Sequence, residues 1–175
     1  MFFDPKQSRW LLFLGLFLPS LTGCSTTGVS ENRAVPAVRE PKVLEDEVAL
    51  GPSLNGRVTK IRFFEGERSK LAFTAERKYE TRFARMMTRT VYTEIDLDYH
   101  RPTTKIRFPI TLYFRQNGRT LRIEEVESWI EPEWTSSGHL VSAGYFEPGK
   151  WRVGTYEVDI YINAKKAATG YFEIF

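Results

Sequence analysis

Cysteine is almost absent from this 175-residue chain: Cys24 is the only one. No disulfide can close within the chain, and a cluster of thiolate metal ligands is excluded. Histidine is nearly as scarce, and His100 and His139 stand far outside the spacing of a helical-turn zinc pair. Both read as solvated residues of loops. A Gly-x-Ser-x-Gly elbow and a Gly-rich phosphate loop are missing as well, and Ser136 and Ser137 neighbour His139 only in sequence. A strong charge of one sign is also lacking, because 25 basic residues face 22 acidic ones. Nothing in that balance calls for a nucleic acid.

The chain does have a short apolar run near its start. Lys6 and Arg9 precede the stretch from Trp10 to Leu18, which breaks at Pro19-Ser20. A spanning helix needs about 20 apolar residues, so the stretch reads as a cleaved export signal over residues 1–23. It ends in Leu21-Thr22-Gly23-Cys24. That sequence resembles the lipobox of bacterial lipoproteins, with an aliphatic residue three positions before the cysteine and small residues between. The resemblance implies cleavage between Gly23 and Cys24, a diacylglyceryl group on the Cys24 thiol and anchoring by its acyl chains. Single chains hold only marginally, whereas two or three hold durably. In Gram-negative lipoproteins an Asp after the cysteine marks inner-membrane retention. Ser25 stands here, which implies the outer membrane, periplasmic side.

Residues 24–55 are rich in Ser, Thr, Pro and charge, with the cluster Glu45-Asp46-Glu47 and no sustained apolar period. They read as a flexible tether, with a short helix over 42–50 as one option. Period-2 alternation then begins, the mark of half-buried strands. Val91, Thr93, Ile95, Leu97 and Tyr99 share one face, and Ile106, Phe108, Ile110, Leu112 and Phe114 share another. Asn117-Gly118 suits a two-residue hairpin turn leading into a strand over 121–130. Pro109 cannot donate a ladder bond and predicts an edge or a bulge. The parity of apolar residues changes between Ile123 and Val126, predicting a bulge near Glu124-Glu125. Further strands are expected at 57–64, 71–74, 79–83, 156–162 and 168–175, although helical spacing also fits Tyr79, Phe83, Met86 and Met87. The whole predicts an all-β fold, an antiparallel β-sandwich of seven to eight strands over 56–175. A membrane barrel alternates too, but Glu173 interrupts its expected apolar face and several strands are short for a spanning ~9–11 residues.

The stretch Glu147-Pro148-Gly149-Lys150-Trp151-Arg152-Val153-Gly154-Thr155-Tyr156-Glu157-Val158, with the hairpin after it, is similar to the closing strands of immunoglobulin-like domains in bacterial secreted proteins. Thr90-Val91-Tyr92 and the loop Trp134-Thr135-Ser136-Ser137-Gly138-His139 fit the same resemblance. It implies an immunoglobulin-like sandwich and carries no activity. The turn Asn163-Ala164 lacks the usual Gly.

Candidate contact residues follow from clustering. Trp129, Trp134 and Trp151 fall near one another in sequence with Tyr145 and His139, and aromatic platforms stack sugars or grip peptides. A buried Trp closing a sandwich end predicts the same clustering. Glu94, Asp96 and Asp98 share a strand face, where they could hold a cation or simply meet solvent. Residues 57–89 carry ten basic residues against Glu65, Glu67, Glu76 and Glu80, a surface suited to anionic lipid, glycan or protein. No residue set calls for a metal or cofactor. The expectation is a non-catalytic, membrane-tethered sandwich that binds an envelope protein. A glycan- or peptidoglycan-binding module using the Trp129/Trp134/Trp151 region is the alternative, and an envelope hydrolase a remote one.

Overall fold

The alternating runs become strands because each places every second side chain on an apolar face that must be covered. The computed structural model describes residues 39–66 and 77–175. The expected export signal, Cys24, the first part of the expected tether and the strand expected at 71–74 lie outside the described residues. Within them are ten strands: β1 Lys42–Val43, β2 Val48–Gly51, β3 Leu54–Glu65, β4 Arg82–Phe83, β5 Thr90–Tyr99, β6 Ile106–Gln116, β7 Arg119–Ile130, β8 Ser136–Gly144, β9 Gly154–Ile162 and β10 Lys165–Ile174. They form two sheets, one ordered β1-β10-β9-β6-β7 with β4 also on β10, the other β2-β3-β5-β8.

Removing the short strands β1, β2 and β4 leaves seven. Taken in chain order, the first, second and fifth of these share one sheet, and the seventh, sixth, third and fourth lie side by side in the other. This is the immunoglobulin connectivity, A-B-E against G-F-C with an added C′ strand. The fold is therefore the expected all-β, immunoglobulin-like sandwich. The inner faces meet in one core that includes Phe63, Ile95, Phe108, Ile110, Leu112, Phe114, Val158, Ile160 and Phe172. Fully burying each such side chain contributes about 1.5–3 kcal/mol before conformational entropy is counted. At Gly170 the sheets approach so closely that an added Cβ would stand 2.6 Å from Phe63 Cζ.

Several expectations need correction. The sandwich begins at Lys42 and not at residue 56: β1 pairs with Ala168 and Thr169, and β2 pairs with the start of β3. Val48 and Leu50 are buried in the core, but a two-residue apolar alternation is too short to register as a pattern. No helix forms over 42–50. The segment around 79–83 yields only β4 and an isolated bridge from Tyr79 to Phe64. The stretch around Trp134 to His139 is no simple loop, because β8 starts within it at Ser136.

The bulge on β7 lies at Leu121, between the pairs Phe114↔Arg122 and Arg115↔Thr120, and not at Glu124-Glu125. The parity change has another cause, since the register runs unbroken from Arg122 to Ile130 and leaves Ile123 on the outer face. Pro109 sits in β6, a central strand flanked by β7 and β9. Pairing with β9 starts only at Ile110, and the Pro109 carbonyl accepts from the turn amide of Asn163 at 3.2 Å. The imide nitrogen thus faces the place where β9 has already ended, and no ladder bond is lost.

Candidate functional site

The strand registers divide four of the five contact candidates between opposite ends of the sandwich and leave His139 on the strand between them. Trp129 pairs with Arg107 at the start of β6, and Thr135, beside Trp134, accepts from the Tyr99 amide at the end of β5. Tyr145 and Trp151 flank the other end, where Tyr145 N and Trp151 Nε1 both donate to the Arg89 carbonyl, at 2.9 and 3.0 Å. Strand β8, nine residues long, separates Trp134 from Tyr145, which amounts to about 30 Å. Trp129, Trp134 and Trp151 therefore make no common platform.

Trp151 closes its end of the core. Only 2% exposed, it meets Tyr145, Tyr156 and Phe172 edge-on at centroid distances of 5.7, 5.3 and 5.9 Å. It matches the buried Trp of the second sequence reading. Trp129 and Trp134 are 50% and 42% exposed. Lys105 Nζ stands 5.2 Å from the Trp129 ring centroid, and a depression of about 170 Å³ lies between Lys105, Arg107, Glu127 and Trp129. On the neighbouring face of the same end, an open cleft of about 400 Å³ is lined by Glu45, Glu47, Arg57, Asp98, Tyr99 and His100, with Asn55 and Gly56. His100 is exposed, as expected.

His139 is not in a solvated loop. It lies on β8 facing the core, 6% exposed, with its ring edge-on to Phe108 at 5.4 Å. Ser128 Oγ is hydrogen-bonded to Nδ1, and Ser137 Oγ lies 2.6 Å from Nε2. Ser137 is thus joined to His139 in space as well as in sequence, and Ser128 is a partner that sequence reasoning missed. Its only sequence signal was an even position on β7, in phase with Val126 and Ile130. A neutral imidazole has one donor and one acceptor nitrogen, so the two serines satisfy it completely. Desolvation lowers its pKa to about 4, well below the range in which a general base works best near neutrality. No carboxylate among the described residues orients the ring. The arrangement is a satisfied polar network inside the core.

The acidic trio on β5 is split. Glu94 and Asp96 both receive Arg62 Nη2, at 3.1 and 2.9 Å. Glu94 also accepts from Arg77 Nη1 at 3.1 Å and from the Tyr79 hydroxyl at 2.6 Å. Burial, followed by the Glu94 contact, raises the Tyr79 pKa. Asp98 lies apart from these partners and faces the cleft. Guanidinium groups thus hold the place a cation would need, and among the described residues no group of three His, Cys, Asp or Glu side chains is placed to bind a metal. On the opposite sheet Asp159 is fully buried, between Arg115 Nη1 at 2.9 Å, Thr169 Oγ1 at 2.8 Å and Lys166.

The basic stretch of 57–89 is divided as well. Arg62 and Arg77 serve Glu94, Lys78 pairs with Glu80, and Arg82 meets Glu173 at 2.8 Å. Arg85 and Arg89 have no carboxylate partner among the described residues, and both stand at the Trp151 end, where Arg85 N donates to the Phe175 carbonyl.

No family model matches the chain, and no curated protein matches it. Among solved structures it is similar to an immunoglobulin-like protein from Pseudomonas aeruginosa, with 14% sequence identity over 71% of this chain and 100% of that one, and a TM-score of 0.42.

Proposed function

We propose that this chain is a non-catalytic lipoprotein of the bacterial cell envelope. In this reading it is cleaved before Cys24, anchored by acyl chains on that cysteine in the outer membrane facing the periplasm, and built to hold a protein partner at the Trp129/Trp134 end. The observation that carries the partner reading is the pair of half-exposed tryptophans at the end that also holds the open cleft. Tryptophan is strongly enriched among the few residues that dominate protein interfaces. The cleft rim mixes Glu45, Glu47 and Asp98 with Arg57, a polar surround of the kind that frames such anchors. Stacking of a sugar on Trp129 would have to accommodate the Lys105 ammonium already over the ring, which favours the protein partner over the glycan.

A photoreactive residue at position 134, in the lipidated chain in living cells, should yield one protein adduct of discrete mass, weakened by Trp129→Ala. Retention of the chain on peptidoglycan, lost on Trp134→Ala, would replace the protein partner with a glycan. The anchor has a separate check. Fatty-acid label should enter the wild-type chain and be absent from Cys24→Ala.

A further inference from the structure

The end opposite the tryptophan pair carries most of the exposed large apolar side chains of the described residues. Phe146 is 97% exposed, and Met86, Met87, Tyr145, Val153 and Phe175 join it. They belong to one surface. Gly149 N donates to the Arg85 carbonyl at 2.9 Å, Arg85 Nε returns a bond to Gly149 O at 3.0 Å, and Arg85 N donates to Phe175 O at 2.7 Å. These bonds tie the 84–89 turn, the 145–153 loop and the chain terminus together. Beneath them Trp151 and Phe172 form a closed aromatic floor, so the protruding residues sit on a rigid support.

The same end is cationic. Arg85, Arg89, Arg119 and Arg152 are exposed and have no carboxylate partner among the described residues, Lys150 meets Glu147 at 3.4 Å, and the other described acids open to solvent there are Glu65 and the half-buried Glu80 and Glu157. Apolar tips projecting from loops, ringed by unpaired arginines, match a fluid surface of acyl chains and phosphates. A flat, continuous apolar face, as in a protein core cut in half, is not what these loops present.

The direction of the chain agrees. Strand β1 is antiparallel to β10, with Val43 opposite Ala168 and Lys42 opposite Thr169, and Arg39 lies over the Tyr171 ring at 5.9 Å. Followed backward from Val43, the chain moves along β10 toward Phe175. It leaves the sandwich heading for the apolar, basic end, with Cys24 fifteen residues upstream of Arg39.

We infer that this end rests on the bilayer that carries the anchor, with Phe146, Met86 and Met87 seated among anionic lipid headgroups and Arg85, Arg89 and Arg152 paired with their phosphates. The inference rests on the anchored reading and adds an orientation to it: the Trp129/Trp134 end then points away from the membrane.

With Cys24 acylated, a cysteine introduced elsewhere is the chain's only free thiol. The lipidated full chain carrying Phe146→Cys, Met86→Cys or Trp134→Cys is labelled with an environment-sensitive fluorophore. It is then reconstituted into phosphatidylcholine vesicles with and without phosphatidylglycerol, both containing spin-labelled lipid. Positions 146 and 86 should show blue-shifted emission and severalfold more quenching than 134, and Arg85→Glu with Arg89→Glu should reduce the signal at 146 on the anionic vesicles. Equal, solvent-like emission at 146 and 134 in a chain that still carries its acyl groups overturns the orientation. Absence of acyl groups from the purified chain strikes the anchored reading instead, and mass spectrometry of the same sample tells the two apart.

Discussion

At one end of the sandwich an indole is sealed beneath loops, its N–H given to the Arg89 carbonyl, in a floor made wholly of rings: Trp151, Tyr156 and Phe172. At the other end two indoles stand half in water, and the core behind them turns polar, with His139 held between Ser128 and Ser137. The same residue type is a plug in one place and a contact in the other. What separates the cases is whether the strand ends leave a gap that an indole must fill. At the Trp151 end the 145–153 loop folds across the open edge of the core. At the Trp134 end a tight turn, with Trp134 N donating to the Glu131 carbonyl at 3.1 Å, holds the side chain outside.

The sharpest way to break this contrast is to truncate both kinds of tryptophan. Trp151→Ala should cost about 3–5 kcal/mol of stability through lost burial and an unfilled cavity. Trp134→Ala should stay within about 0.5 kcal/mol, as exposed substitutions do. Urea unfolding of the two variants decides it, and equal shifts of the midpoint would erase the distinction between plug and contact.

The polar core behind the tryptophan pair should make that end sensitive to acid. His139 has a folded pKa of about 4, below its unfolded value of about 6.5. The unfolded chain therefore binds the extra proton first, and stability present above about pH 6.5 is lost as pH falls toward 4. The loss from this group approaches roughly 3 kcal/mol at full effect. His139→Gln should flatten that part of the pH profile measured by thermal unfolding. An unchanged slope would assign the acid sensitivity to other groups.

The smallest test compares the hairpin turns, one at each end. Asn117-Gly118, at the Trp151 end, has φ of 52° and 76°, whereas Asn163-Ala164, at the opposite end, has 48° and 63°. Both are turns with two left-handed residues, yet only one has the glycine that accepts this without penalty. Gly118→Ala should destabilise by about 1–2 kcal/mol. Ala164→Gly should gain about 0.5 kcal/mol, strain relief being partly offset by the added freedom of the unfolded chain. Differential scanning calorimetry resolves the opposite signs.

Strands β5 and β6 and their hairpin partner β7 were legible because long alternation and an Asn-Gly turn leave few alternatives. Strand β8 was not. Its inward positions are Ser137, His139, Val141 and Ala143, and two polar groups that satisfy each other with Ser128 look from sequence like a polar loop. The missing turn glycine left the type of the last hairpin turn open, and Asn163 holds that turn in place, its backbone amide donating to Pro109 O and its side chain to Ala49 O at 2.7 Å. At the candidate site, closeness in sequence misled. Trp134 and Tyr145 are eleven positions apart, and the strand between them carries them to opposite ends.

β1 pairs with β10 at two positions, flanked by the Leu44 N bond to Ala167 O and by Arg39 over Tyr171, while β2 behind it places Val48 and Leu50 in the core. If the chain is anchored through its N-terminal side as proposed, this would work as a mechanical fuse. Tension would peel residues 39–47 first, releasing up to about 30 Å of chain at the contour length of an extended backbone. The next element to yield, β2, is locked by core packing. Because residues 39–43 already lie extended toward the pulled end, the freed chain would chiefly let the sandwich swivel about β2 while it stays folded.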